Sequence, residues 1–105
     1  MYSGGYGTIL MYKIVFSKDA VKDMEKLKAA GLSKKAKDLI ALIKEDPFKT
    51  PPRVEALVGN LKGAYSRRIN IRHRLVYQII YEPITEDTAA YVGTIKILRM
   101  WTHYE

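Results

Sequence analysis

The hydrophobic period of this 105-residue chain changes once, and that change restricts the folds it can adopt. Between Ser17 and Asp46 apolar residues recur every three or four positions, which is the spacing of an amphipathic helix. From Ala64 onward the period is two, which is typical of strands. Helices followed by a run of strands indicate an α+β fold, since a parallel α/β sheet needs strands and helices to alternate.

Two helices joined at a glycine are predicted for the first half of the chain. Ser17 is a good N-cap for the first helix, and Gly31 suits the position just beyond its end. Ser33 is expected to cap the second helix. That helix should end at Asp46, because the residue before a proline is disfavoured in the α region.

The remaining segments predict a β-α-α-β-β-β order. Residues 48–63, with two adjacent prolines and two glycines, are expected to form a long loop. The sheet should be mostly antiparallel and twisted, with the two-helix hairpin packed on one face. The four predicted strands are residues 12–16, 65–69, 74–81 and 91–101.

The composition fits one small, basic domain. A net charge of +7 and a pI near 9.6 favour nucleic acid, an acidic protein or an anionic membrane as a partner, without choosing among them. The chain has no cysteine, which excludes disulfides and thiolate metal sites. We find no apolar run long enough to span a bilayer and no secretory leader pattern, so a cytoplasmic location is expected.

A cluster of basic residues lies between two of the predicted strands. The guanidinium group is planar, permanently charged and matched to phosphate oxygens. Arg67 and Arg68 are adjacent on a strand, so they should point to opposite faces. A structural role stays open, because Glu55, Asp46 or the C-terminal carboxylate could pair with some of these arginines. The candidate phosphate-binding residues are Arg67, Arg68, Arg72, His73 and Arg74.

Candidate proton-transfer groups flank this cluster. Glu55 is the only acid between Asp46 and Glu82, and its role as a general base or an ion-pair partner stays open. His73 and His103 can act as acid or base near neutral pH, although a lone histidine is often a surface residue. Glutamate, histidine and arginine together can cleave RNA through its own 2′-hydroxyl without a metal or cofactor. The spacing of the histidines and acids predicts no metal site.

Two motifs together resemble the Txe/YoeB family of toxins from type II toxin–antitoxin systems, within the RelE/ParE superfamily. The first is the block S-R-R-I-N-I-R-H-R-L-V-Y, at residues 66–77, and the second is the terminal pair His103-Tyr104. The similarity covers about residues 12–105. It implies a RelE-like toxin domain over residues 11–105. The glycine-rich residues 1–10 exceed the family's usual start and are expected to form an N-terminal extension or an added first strand.

The resemblance also implies an activity and a set of roles. Family members are ribosome-dependent endoribonucleases that cut mRNA in the ribosomal A site. On this chain the family's general base falls on Glu55, its phosphate-stabilising arginine on Arg74 and its general acid on His103. Tyr104 matches a further active-site residue, and Arg68 a supporting basic residue. The implied partners are the ribosome, its mRNA, an acidic antitoxin of the YefM/Axe type and a second copy in a homodimer.

Two other functions remain compatible with the sequence. One is a non-enzymatic toxin on the same fold, as in the ParE branch that poisons DNA gyrase. That branch has no need of the Glu55, Arg74 and His103 set, so the presence of all three argues against it. The other is an RNA- or ribosome-binding module, which would show salt-dependent binding without cleavage.

Overall fold

The computed structural model describes residues 11–102, which form one sheet with two helices packed on it. The N-terminal extension over residues 1–10 and the predicted site residues His103 and Tyr104 lie outside the described residues. None of the helices in residues 11–102 is long and apolar enough to cross a bilayer. The elements are β1 (Met11–Phe16), α1 (Lys18–Ala29), α2 (Ser33–Glu45), β2 (Glu55–Ala56), β3 (Ala64–Arg68), β4 (Arg74–Ile80), β5 (Ile84–Glu86) and β6 (Ala89–Thr102).

The sheet has the order β1-β6-β4-β3-β2, and β5 pairs with the early part of β6. β1 runs parallel to β6, and every other pair is antiparallel. The predicted α+β class with a mostly antiparallel sheet is therefore confirmed. The element order differs in detail, because β2 forms within the predicted loop and β5 lies where no strand was predicted. Strands of two or three residues are too short to show a hydrophobic period.

The ends of α1 follow the predicted capping chemistry. The Ser17 hydroxyl accepts the backbone N–H of Ala20 at 3.0 Å. Gly31 adopts a left-handed φ of +75°, and the next residue donates its N–H to the carbonyl of Leu27, which completes a Schellman motif. The prediction for α2 was wrong at its first residue. Ser33 already lies inside the helix, and Leu32 occupies the N-cap without a side-chain cap bond.

Both helices cover the same face of the sheet, which we call the helix-covered face. Along β4, Leu75, Tyr77 and Ile79 belong to the hydrophobic core that α1 and α2 bury. Because side chains alternate along a strand, Arg74 and Val76 point to the opposite side, which we call the open face. The core also includes Ala20, Leu27, Ala36, Leu39, Ile43, Ile69, Ile95, Ile97 and Met100.

Candidate active site on the open face of the sheet

An ion pair between Glu55 and Arg74 forms the centre of the candidate site. Glu55 opens β2 and pairs across the sheet with Ser66 of β3, while Arg74 opens β4. The Arg74 Nη1 donates to the Glu55 carboxylate and, at 3.1 Å, to the Ser66 hydroxyl. Three strands thus bring an acid, a cation and a hydroxyl together on the open face.

The environment of Glu55 keeps its carboxyl group ionised. The hydrogen bond from Arg74 is the largest influence and lowers the pKa of Glu55 below its ordinary value. Partial burial opposes that shift, while the positive charges of Arg74, Arg53 and Arg68 add to it. The Glu55 side chain remains 35% exposed and that of Arg74 14%, so a solute can reach the carboxylate. The site therefore presents an accessible, ionised carboxylate among cations.

Arg68 extends the positive charge along the open face. It is exposed and lies directly across the ladder from Arg74, so the two side chains share one face. Arg68 also borders an open groove of about 420 Å³ between α2 and the end of β3. The groove is lined by Lys35, Asp38, Leu39, Leu42, Pro52, Arg68 and Ile69.

The turn between β3 and β4 carries two further predicted residues. Asn70 organises it, because its side-chain oxygen accepts the backbone N–H groups of Arg72 and His73 at 2.9 and 2.8 Å. The His73 ring stacks on Trp101 of β6, with centroids 3.9 Å apart and an angle of 18° between the ring planes. Arg72 is exposed on the turn. The phosphate-binding roles of Arg72 and His73 stay predictions.

Arg67 departs from its predicted role in phosphate binding. It is fully buried, and its guanidinium donates to the Tyr77 hydroxyl and to the carbonyls of Pro47 and Pro52. The opposite orientation of Arg67 and Arg68 follows the strand alternation. The helix-covered face is already occupied by protein at Arg67, so a phosphate has no access to its side chain.

The end of β6 lies beside the ion pair. The register places Thr102 opposite Arg74, with a bulge between this pair and the next one, Val76 with Arg99. His103 and Tyr104 follow Thr102 in the sequence and lie outside the described residues. Their predicted catalytic roles therefore stay predictions.

Two residues of the site were not singled out from the sequence. Ser66 carries no charge and was noticed only as part of a motif, yet its alternation with Arg68 places it on the open face. Arg53 precedes Glu55 by two residues and contributes to the positive potential at its carboxyl group. Within residues 11–102, no three histidine, aspartate or glutamate side chains converge to hold a metal ion.

A mostly antiparallel sheet with two helices on one face is the fold of the RelE-like toxins, and solved structures of YoeB toxins share it. Within this class, residues 16–104 match the model of the YoeB-like toxin of bacterial type II toxin–antitoxin systems, and the chain belongs to that family. The similarity therefore extends over both helices and β2 to β6, and includes every residue of the candidate site.

Individual relatives agree with this membership. Toxin YoeB of Mycobacterium bovis is 36% identical over 83 residues, which cover 77% of this chain and 98% of that protein. Toxin YoeB of Streptomyces coelicolor is 49% identical over 47 residues, covering 45% of this chain and 56% of the relative. The match to Toxin YoeB of Synechocystis likewise spans 56% of that relative, with 50% identity over 46% of this chain.

Solved structures show the same fold. The YoeB/ParE toxin from Agrobacterium tumefaciens superimposes with a TM-score of 0.70 and 28% identity, covering 88% of this chain and 99% of that one. A chain of the YoeB–YefM complex from Staphylococcus aureus gives a TM-score of 0.66 and 32% identity, covering 89% of this chain and 98% of that one. A YoeB dimer from the same organism gives a TM-score of 0.66 and 33% identity, covering 89% of this chain and 98% of that one.

Proposed function

We propose that this protein is a ribosome-dependent mRNA endonuclease, the translation-inhibiting toxin of a toxin–antitoxin module. The observation that supports it best is the ionised Glu55 beside Arg74 and Arg68 on the open face. These groups supply a base and two phosphate-binding cations at one place. His103 and Tyr104, which follow Thr102 in sequence, complete the proposed site.

The proposed reaction uses the nucleophile that RNA carries. The Glu55 carboxylate takes the proton of the 2′-hydroxyl as the 2′-oxygen attacks phosphorus. Arg74 and Arg68 stabilise the charge that builds on the phosphorane oxygens. The P–O5′ bond breaks, and His103 gives a proton to the leaving 5′-oxygen. Each proton transfer accelerates cleavage by a factor of about 10²–10⁴, and each positioned cation accelerates it by a similar factor.

The ion pair must open for this chemistry to begin. While Arg74 holds Glu55, the carboxylate is a weak base, because its pKa is lowered. A substrate phosphate competes for the same guanidinium and can accept two parallel N–H bonds from it, whereas Glu55 accepts from Nη1 alone. As Arg74 turns to the phosphate, the pKa of Glu55 rises toward its ordinary value. Substrate binding thus activates the base, which suits an enzyme that acts on mRNA held in the ribosome.

The relatives suggest the partners. The YoeB of Staphylococcus aureus has been solved in a complex with YefM and as a dimer. By analogy we propose an acidic YefM-like antitoxin and a homodimer for this chain, whose net charge of +7 favours an acidic partner. A protein that acts on ribosomes would work in the cytoplasm.

Primer extension on mRNA bound to purified ribosomes tests the proposal. The wild-type protein should cut the message, and Glu55→Gln and His103→Gln should each reduce cleavage at least 100-fold while circular dichroism stays unchanged. Glu82→Gln, which removes an exposed acid outside the site, is the control and should cleave like the wild type. Full cleavage by both site variants would contradict the mechanism.

Two outcomes of the same work would point elsewhere. If induction in cells stops DNA replication before protein synthesis, the protein is a gyrase poison. If it binds ribosomes in a salt-dependent way and leaves the mRNA intact, it is a binding module.

A further inference from the structure

Arg67 is a buried cation held by neutral oxygens. Its exposure is 0%, which is rare for arginine, because burying a charge is unfavourable unless its donors are satisfied. The Nε donates to the Tyr77 hydroxyl at 3.2 Å. Nη1 donates to the carbonyl of Pro52 at 3.0 Å, and Nη2 to the carbonyl of Pro47 at 2.9 Å. One rigid group therefore contacts three separate points of the fold.

Two of those points lie in the segment that we call the anchor loop, residues 46–54. The Tyr77 hydroxyl reinforces the attachment, since it donates to the Pro47 carbonyl at 2.6 Å. Burial raises the pKa of Tyr77, so this hydroxyl keeps its proton and remains a donor. Phe48 adds an edge-to-face contact with Tyr65 at 5.1 Å. Both ends of the anchor loop are thus fixed to the helix-covered face.

The anchor loop leads directly to the candidate base. Glu55 comes three residues after Pro52, so its Cα lies within about 11 Å of the Pro52 Cα. β2 consists of Glu55 and Ala56 alone, so the strand ladder holds Glu55 through only two residue pairs. Besides the ion pair with Arg74, only this short ladder and the anchor loop fix the start of β2, so a shift of the Pro52 carbonyl is expected to displace Glu55.

We propose that Arg67 is a positioning residue for Glu55, which it holds in register with Arg74 by fixing the anchor loop from the opposite face of the sheet. This inference rests on the proposed function, in which Glu55 is the base. Arg67 acts through the protein backbone and touches no substrate.

The geometry requires arginine in particular. The planar guanidinium sends N–H groups in three directions, which match the Tyr77 hydroxyl and the two carbonyls. A lysine ammonium carries the same charge at a single point and lacks the fixed fork of the guanidinium. Arg67→Lys therefore preserves the charge and disrupts the three-point attachment.

The test compares two measurements on the full-length Arg67→Lys protein. Cleavage of ribosome-bound mRNA, normalised to the folded fraction, should show kcat reduced about 10- to 100-fold with KM nearly unchanged. Carbon-13 NMR of the Glu55 carboxyl group should show its pKa rising toward the ordinary value, because the hydrogen bond from Arg74 is loosened. The rate falls despite the stronger base, because the displaced carboxylate is misplaced for the 2′-hydroxyl. The NMR measurement is independent of activity.

Gly93→Ala is the matched control. The added methyl group strains β6 next to Ile80. Ile80 is six residues along β4 from Arg74, so the strain lies about 20 Å from the ion pair. The substitution should lower stability while leaving kcat per folded molecule and the pKa of Glu55 at their wild-type values. If Arg67 only stabilises the fold, Arg67→Lys should likewise lower stability and leave kcat per folded molecule and the pKa of Glu55 unchanged.

If Arg67→Lys does not fold, the same two measurements, kcat and the pKa of Glu55, are made on Tyr77→Phe. It removes the hydroxyl that links Arg67 to Pro47 and should shift both measurements in the same direction, with kcat lowered about threefold or more. Wild-type values of kcat and of the Glu55 pKa in the variants would overturn the inference. If the wild-type protein cleaves no RNA, the proposed function fails, and the NMR titration still decides the role of Arg67.

Discussion

Asp23 on α1 and Arg99 on β6 form an ion pair that ties the first helix to the last strand. The Arg99 Nε donates to Oδ2 of Asp23 at 2.9 Å, and the same oxygen accepts the backbone N–H groups of Met100 at 2.8 Å and Trp101 at 3.2 Å. Met100 and Trp101 lie in the bulge of β6, where the ladder to β4 is interrupted. A buried carboxylate thus fixes the strand end beside the candidate site.

Asp23→Asn should destabilise the fold by about 3 kcal/mol. Burial alone would favour the protonated acid, yet the hydrogen bonds from Arg99 and the two backbone N–H groups hold the pKa of Asp23 below its ordinary value. The amide lacks the charge that these donors match. The figure is at the low end for a buried pair, because Arg99 is 34% exposed. Urea unfolding at neutral pH measures the loss.

Glu25→Gln serves as the control for Asp23, since it removes an exposed charge from the same helix. It should leave the free energy of unfolding within about 0.5 kcal/mol of the wild type. Equal stabilities of Asp23→Asn and Glu25→Gln would show that the ion pair contributes nothing.

The stability that Glu55 contributes should depend on pH. Because its pKa is lower in the folded state, its ionised form is favoured there. The contribution is complete above the unfolded pKa of about 4.3, and it disappears as the pH falls through the lower, folded value. Unfolding curves of the wild type and Glu55→Gln, recorded between about pH 2 and pH 7, should converge only at the acid end. A difference that stays constant over this range would contradict the lowered pKa.

Gly93→Ala should destabilise the protein by about 1–3 kcal/mol. A Cβ atom at this position would lie 2.4 Å from the carbonyl oxygen of Ile80 and 3.2 Å from the ring of Tyr12. The carbonyl belongs to the backbone of β4 and cannot move aside independently. Thermal unfolding checks the prediction, with Lys96→Ala at an exposed position of the same strand as the control. Equal melting temperatures for the two variants would show that the sheet accommodates the methyl group.

Ser17→Ala should cost about 1 kcal/mol, and Ser33→Ala much less. The Ser17 hydroxyl accepts the N–H of Ala20 and donates to the carbonyl of Leu98 at 2.8 Å, so it links α1 to β6 as well as capping the helix. Ser33 lies inside α2, whose N-cap has no side-chain hydrogen bond. Chemical denaturation of the two variants makes the comparison, and a larger loss for Ser33→Ala would contradict the capping geometry.

The local features of the fold could be predicted from sequence because they depend on near neighbours. Gly31 ends α1 since it tolerates a left-handed conformation, and Pro47 stops α2 through its clash with the preceding residue. The Ser33 cap failed because a one-residue shift of the helix start changes the identity of the N-cap. β2 was missed because its two residues are held by β3, which no local pattern reveals.

The alternation of a strand was enough to separate Arg67 from Arg68. Residue types nominated the whole basic cluster, and the family resemblance singled out Glu55, Arg74 and Arg68. Only the tertiary structure decided what Arg67 and Arg74 contact. Arg67 became an internal support because Pro47 and Pro52 direct their carbonyls at it, and Arg74 became the partner of Glu55 because β2 pairs with the outer edge of β3. Charge and period are properties of the chain, whereas burial and hydrogen-bond partners depend on which distant segments the fold brings together.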